Sequence, residues 1–183
     1  MHAHLAVPTE AATGVAADAE PAVDVLDFES FYRSRRPSIV RGLALALGDA
    51  DLAAEAADEA FTRAYERWRS VSAFGRPEAW VYRVGMNWAL SILRRRRLSQ
   101  HRLYDPAVAE SPAVADPAVH AALAELDVKH RTVIVCRHLL GWSVAETAAA
   151  LRLREGTVKS RLHRANQILQ ARLQHLTTFE EQS

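Results

Sequence analysis

Apolar residues recur every three or four positions over long stretches of the chain, and no stretch alternates polar and apolar residues as a half-buried strand would. In residues 26–47 this spacing predicts a first long helix, either continuous or broken near Pro37. Gly48 followed by Asp49 then supplies a helix stop and a new N-cap. The pattern therefore predicts an all-α fold.

Residues 49–68 show the clearest two-sided pattern. At 100° per residue, one side collects small and aromatic residues, namely Ala53, Ala57, Phe61, Ala64 and Trp68. The other side carries carboxylates, called here the acidic stripe: Asp51, Glu55, Asp58 and Glu59. Such a stripe is usually a solvated face. The alternative hypothesis is that it docks on a partner with a basic surface.

A third helix is predicted to begin at Pro77, where a first helical turn tolerates proline, and to run to about Arg97. Asn87, Ser91 and Arg94 fall within a narrow arc, with Arg83 beside them. Amide, hydroxyl and guanidinium groups contact phosphates and base edges. The alternative is that the arginine run 94–97 is a solvated helix end and that the aromatic residues of this helix are core.

Periodicity fails over residues 98–117, which contain three prolines, and a stretch of this length without structure typically marks a linker. Residues 1–24 carry too little apolar bulk to form a core and are predicted to be a flexible tail. The sequence thus predicts two small helical domains, residues 25–97 and 118–176, joined by a flexible linker, with a second tail at 177–183.

The C-terminal domain is predicted to hold four helices, over residues 118–126, 129–139, 143–151 and 154–176. Ser143 and Glu146 form an S-x-x-E capping box at the start of the short third helix. A tight turn and a longer helix follow, which is the helix-turn-helix arrangement. Pointing away from the apolar stripe of that last helix are Thr157, Lys159, Ser160, His163 and Arg164, with Arg161 at the flank. The alternative is a small bundle with a solvated basic face.

The net charge hides the separation of acidic and basic residues along the chain, since 23 Lys and Arg against 22 Asp and Glu leave only +1. The lone Cys136 excludes an intramolecular disulfide and favours a cytoplasmic location, and no apolar run is long enough to span a membrane. The histidines lack metal-ligand spacing, and no glycine-rich phosphate loop occurs. We expect no metal, no cofactor and no enzymatic activity.

Four stretches resemble conserved segments of the sigma factors of bacterial RNA polymerase, specifically the small extracytoplasmic-function (ECF) group of the sigma-70 family. WSVAETAAAL (142–151) and EGTVKSRLHRA (155–165) look like the two helices of region four. AAEAADEAFTRAYERW (53–68) resembles the polymerase-docking helix of region two, and RPEAWVYRVGMNWALSILRRRR (76–97) its promoter-melting helix. Their joint occurrence in this order is far more specific than any one of them.

The resemblance implies a role for each face. The clamp coiled coil of the largest subunit of core polymerase would be met by Asp51, Glu55, Asp58, Glu59 and Phe61. The melted −10 promoter element would be handled by the loop 71–75 and by Arg76, Arg83, Asn87, Ser91, Arg94 and Arg95. The −35 duplex would be read by Thr157, Lys159, Ser160, Arg161, His163 and Arg164. An anti-sigma factor is an open candidate as a further partner.

Two competing functions stay open from the residues alone. A stand-alone helix-turn-helix regulator would bind duplex DNA by itself and would not need the acidic stripe. An anti-sigma-type or scaffold protein would use its helical faces only for protein contacts.

Overall fold

The computed structural model describes residues 20–99 and 117–180, and every regular element in these two ranges is helical. The N-terminal helices are α1 (Glu20–Leu47), α2 (Ala50–Tyr65), α3 (Trp68–Val71) and α4 (Pro77–Ser99). The C-terminal helices are α5 (Pro117–Ala124), α6 (Val128–Ile134), α7 (Val144–Leu151) and α8 (Glu155–Glu180). Val135–Leu139 continue α6 as a π-helical segment.

Helices α1, α2 and α4 form the N-terminal core. The buried side of α2 is mostly alanine, which lets α4 approach closely. Gly85 of α4 marks the tightest point, because a Cβ built there would lie 3.0 Å from the carbonyl oxygen of Ala56. At the far end, an aromatic cluster joins α1 to α2 and α3: Phe28, Phe31, Tyr32, Phe61, Tyr65 and Trp68.

Local signals in the sequence place the C-terminal helices. The Asp127 carboxylate accepts from the backbone N–H of His130 and caps α6. At α7 both halves of the capping box form: the Ser143 hydroxyl accepts from Glu146 N–H, and the Glu146 carboxylate accepts from Ser143 N–H. The turn into α8 places Arg152 in the left-handed region, at φ +53°. Beneath this helix-turn-helix lie Val133, Ala148 and Val158.

Several boundaries differ from the predicted ones. Helix α1 is continuous through Pro37, which is exposed, and begins at Glu20, inside the predicted tail. Pro21 lies in its first turn, where a proline is tolerated. The predicted second helix ends earlier, and α3 replaces part of the predicted loop. Helix α8 continues to Glu180, beyond the predicted domain end. Most of the predicted linker, residues 100–116, and residues 1–19 of the predicted tail lie outside the described residues.

The C-terminal helices pack directly against the N-terminal helices, which the sequence pattern did not predict. Helix α6 and the π-helical segment pack against α1, and α7 packs against α4. Tyr82 of α4 packs on Trp142, and their rings meet edge to face with their centroids 5.5 Å apart. Both side chains are buried, so one hydrophobic core runs through both groups of helices.

Candidate nucleic-acid interface

The solvent-facing side of α8 presents the residues predicted to bind duplex DNA. Val158 is fully buried and anchors the opposite side, which fixes how α8 is turned. Exposed on the outer side are Lys159, Ser160, His163 and Arg164, while Thr157 and Arg161 are half-buried at its edges. The acid nearest this surface, Glu155, lies 3.9 Å from the Lys159 ammonium. We call these six predicted residues the α8 face.

Helix α4 presents a second basic surface, formed by the six residues predicted for the −10 element and called here the α4 face. Asn87, Arg94 and Arg95 are exposed. Ser91 is half-buried, and its hydroxyl donates to the Trp88 carbonyl at 2.7 Å and accepts from Arg95 at 3.4 Å. One end of this surface is therefore open to solvent and carries donors suited to phosphates.

The other end of the α4 face lies under helix α7. Arg76 forms ion pairs with Glu78 and with Glu146, the capping-box residue of α7. Arg83 is half-buried, and burial together with the nearby Arg152 guanidinium lowers its pKa. Arg152 was not a predicted site residue, because only the packing of α7 on α4 brings it beside Arg83.

The acidic stripe lies on the outer side of α2, as predicted, with Asp51, Glu55 and Asp58 exposed and Glu59 half-buried. Arg36 of α1 donates to the Asp58 carboxylate at 2.8 Å, and Arg63 lies 2.6 Å from Glu59. Arg36 is thus an additional member of this surface that sequence reasoning missed, because it comes from another helix.

The prediction that Phe61 lies on the docking surface is wrong. Phe61 is 2% exposed, and its ring packs on those of Phe31 and Tyr32. Phe61 therefore supports the acidic stripe from the core and does not lie on its surface. The exposed aromatic residue beside the stripe is Tyr65, one helical turn further on and 52% exposed. Helical spacing places both residues near the stripe, but only the contacts of α1 decide which one is covered.

Within residues 20–99 and 117–180 no group of three His, Cys, Asp or Glu side chains is placed to hold a metal ion. No helix in those ranges has both the length and the apolar character needed to cross a bilayer. Two basic faces and an acidic stripe thus lie on three different helices of the described residues.

Comparison with known proteins assigns the family. Residues 117–169 match the family described as sigma-70, region 4. The chain is 34% identical over 149 residues to the RNA polymerase sigma-E factor of Streptomyces coelicolor, with 78% of this chain and 83% of that protein covered. It is 34% identical over 142 residues to the ECF RNA polymerase sigma factor SigL of Mycobacterium tuberculosis, covering 70% and 78%.

A solved structure shares the fold. The structure of the Bartonella quintana sigma factor RpoE, solved in complex with the anti-sigma factor NepR, matches with a TM-score of 0.71 at 24% identity. The match covers 81% of this chain and 97% of that one. Together with the sequence relatives, it confirms the all-α fold and the helix-turn-helix. The chain belongs to the extracytoplasmic-function group of the sigma-70 family of sigma factors.

Proposed function

We propose that this chain is the promoter-specificity subunit of a bacterial RNA polymerase. The single observation that carries the proposal is the separation of three charged surfaces onto three helices, within a fold shared with sigma factors. An acidic stripe repels DNA, so it suits a basic protein surface, whereas the α4 and α8 faces suit phosphates and bases. A stand-alone DNA-binding regulator has no use for the acidic stripe.

Each surface has one task in the proposed mechanism. The acidic stripe docks on the clamp coiled coil of the core polymerase, and electrostatic complementarity speeds and orients that encounter. The α8 face enters the major groove of the −35 element, where Arg161 and Arg164 contact phosphates or bases. The α4 face captures unstacked bases of the −10 element, which offsets the few kcal/mol per step that opening the duplex costs.

The protein forms and breaks no covalent bond in this mechanism, so we propose a binding role without enzymatic activity. Its two partners are core RNA polymerase and promoter DNA, and transcription places it in the cytoplasm. The family relationship makes an anti-sigma factor a further candidate partner. We also propose that residues 25–97 and 118–176 are its two functional domains, joined by a linker at 98–117, because each domain carries its own DNA-binding face.

Run-off transcription with purified core polymerase tests the function. Promoters are first located by mapping transcription starts after overexpression, and one is then used as the template. We expect a promoter-dependent transcript only when the chain is added to core. A chain that binds the duplex alone, yet gives neither a transcript nor a complex with core, would instead be a stand-alone regulator.

A further inference from the structure

Two arginines meet without a carboxylate between them at the boundary of α4 and α7. Arg83 of α4 is half-buried, and the guanidinium group of Arg152, in the turn between α7 and α8, lies near it. Neither guanidinium group makes a hydrogen bond or an ion pair with another residue that the structure describes. Burial and the charge of Arg152 both lower the pKa of Arg83, and no acid raises it. We call Arg83 and Arg152 the arginine pair.

The acidic groups at this boundary serve a different arginine. Glu78 and Glu146 both form ion pairs with Arg76. The Glu146 carboxylate also accepts from the backbone N–H of Ser143 at 2.7 Å, which fixes it at the start of α7. Cations that are partly removed from water are normally paired with an opposite charge. Among the described residues, the chain supplies no such charge to the arginine pair.

A groove gives a small anion access to this point. It has a volume of about 230 Å³ and lies between α4 and α7, with Trp80, Arg83 and Ala149 among its lining residues. Pockets that enclose drug-sized ligands measure about 300–1,000 Å³, so this groove suits a smaller, charged group. Ala150 lines it as well, and Arg152 follows two positions later. The groove therefore opens beside both members of the arginine pair.

The backbone of Arg152 is a further observation that does not depend on charge. Its φ of +53° and ψ of +46° lie in the left-handed region. Glycine adopts this conformation with less strain and is the usual residue where a helix ends in this way. Strained backbone of this kind occurs preferentially at functional sites. The turn thus holds an arginine at a position where the backbone favours glycine.

We propose that the arginine pair binds the terminal phosphate group of a small phosphorylated molecule. A phosphate monoester carries a charge of about −1.5 to −2 at pH 7 and has three acceptor oxygens. One such group therefore balances both guanidinium charges and accepts charge-assisted hydrogen bonds from both side chains. A phosphate of the DNA backbone is a diester with a single negative charge, which leaves one of the two guanidinium charges unbalanced. Glu146 also lines the groove, but Arg76 balances its charge.

This site goes beyond the proposed promoter function and needs neither DNA nor polymerase. Arg83 belongs to the α4 face as well, whereas Arg152 belongs to no predicted DNA-binding surface, so Arg152 distinguishes the two roles. Because α4 and the turn after α7 each supply one arginine, a bound phosphate group joins them and stabilises the folded chain. Tests without DNA and polymerase can fail while run-off transcription succeeds, and the reverse also holds.

Three variants of the full chain separate the possible contributions of Arg152. Arg152→Gln removes its charge and its guanidinium donors, and Arg152→Lys keeps the charge but loses the two-pronged donor geometry. Arg154→Gln is the matched control, because it removes an exposed arginine two residues further along the same turn. Far-UV circular dichroism checks that all three fold.

Phosphorus-31 NMR at constant ionic strength measures binding of three probes: monomethyl phosphate, adenosine monophosphate and dimethyl phosphate. We expect monomethyl phosphate to bind wild type about ten-fold more tightly than Arg152→Gln, with Arg152→Lys between them and Arg154→Gln within two-fold of wild type. Dimethyl phosphate, which matches the DNA backbone, should bind about ten-fold more weakly than monomethyl phosphate. Tighter binding of adenosine monophosphate would identify a nucleotide as the source of the phosphate group, and equal binding a smaller phosphate ester.

Two results of this titration would overturn the proposal. Equal affinity for monomethyl and dimethyl phosphate would show that the site does not select a terminal phosphate group. An equal loss in Arg152→Gln and Arg154→Gln would show only a general attraction of anions to the basic turn.

Urea unfolding excludes a purely structural role of Arg152. With monomethyl phosphate at about ten times its dissociation constant, the folding equilibrium constant of wild type should rise about eleven-fold, against about two-fold in Arg152→Gln. Without the probe, Arg152→Gln should be at least as stable as wild type, because the repulsion from Arg83 is removed. If the substitution changes stability equally with and without the probe, Arg152 is only structural and the proposal fails.

Discussion

We expect the substitution Gly85→Ala in α4 to destabilise the protein. A Cβ built there would lie 3.0 Å from the Ala56 carbonyl oxygen and 3.0 Å from Leu43 Cδ1. The Leu43 methyl group can rotate away, but the carbonyl belongs to the backbone of α2 and moves only with the helix. Gly85→Ala therefore forces α2 and α4 apart in a core of alanines, which close packing makes costly.

Two terms of opposite sign decide the size of this effect. Replacing glycine by alanine inside a helix stabilises by about 1 kcal/mol. Overpacking a dense core costs about 1–3 kcal/mol. The backbone contact puts Gly85 toward the upper part of that range, so we expect a net destabilisation of about 1–2 kcal/mol.

Two other helical glycines provide the comparison, and Gly156 is the matched control. A Cβ on Gly156 of α8 meets nothing within 4 Å, so Gly156→Ala keeps only the helix gain, up to about 1 kcal/mol. Gly42 is intermediate, because its Cβ would be 3.2 Å from Tyr82 Cε2 and 3.4 Å from Leu140 Cδ2, both side-chain atoms. Urea unfolding followed at 222 nm measures all three. The reasoning about α2 and α4 is refuted if Gly85→Ala is as stable as Gly156→Ala.

Three further changes have expected outcomes. Arg152→Gly should stabilise the protein by about 0.5–1 kcal/mol in urea unfolding, because it relieves the left-handed φ of +53°; a loss of stability would show that the Arg152 side chain outweighs that strain. Burial raises the pKa of the Cys136 thiol from its ordinary value of 9.0 to about 12. The free energy of unfolding that this thiol contributes is therefore intact below pH 9 and falls as pH rises toward 12. At pH 10 this loss is about 1.4 kcal/mol, and Cys136→Ala should show a correspondingly flatter pH profile in urea unfolding. Reversing Glu55 and Asp58 to Lys should abolish binding to core polymerase in pull-downs while duplex binding by the α8 face persists; equal loss of both would argue against separate surfaces.

The helix-turn-helix follows closely from the local sequence. Its capping box, short α7 and basic outer side were all predicted, because capping and helical periodicity depend on residues within a few positions of one another. The acidic stripe was predicted for the same reason. The prediction for Phe61 was wrong and Arg36 was not predicted, since the surroundings of both residues depend on α1 lying against α2.

The sequence by itself determined the long helices, the caps at Asp49 and Ser143 and therefore the three charged surfaces, because these follow from local spacing along one chain. Only the tertiary structure decided that Tyr82 meets Trp142, that Arg76 meets Glu146 and that α7 covers one end of the α4 face. Those pairs are 60 and 70 residues apart, and no local pattern encodes them. They arise because both groups of helices bury apolar surface against each other, and that shared burial sets which parts of the DNA-binding surface stay exposed.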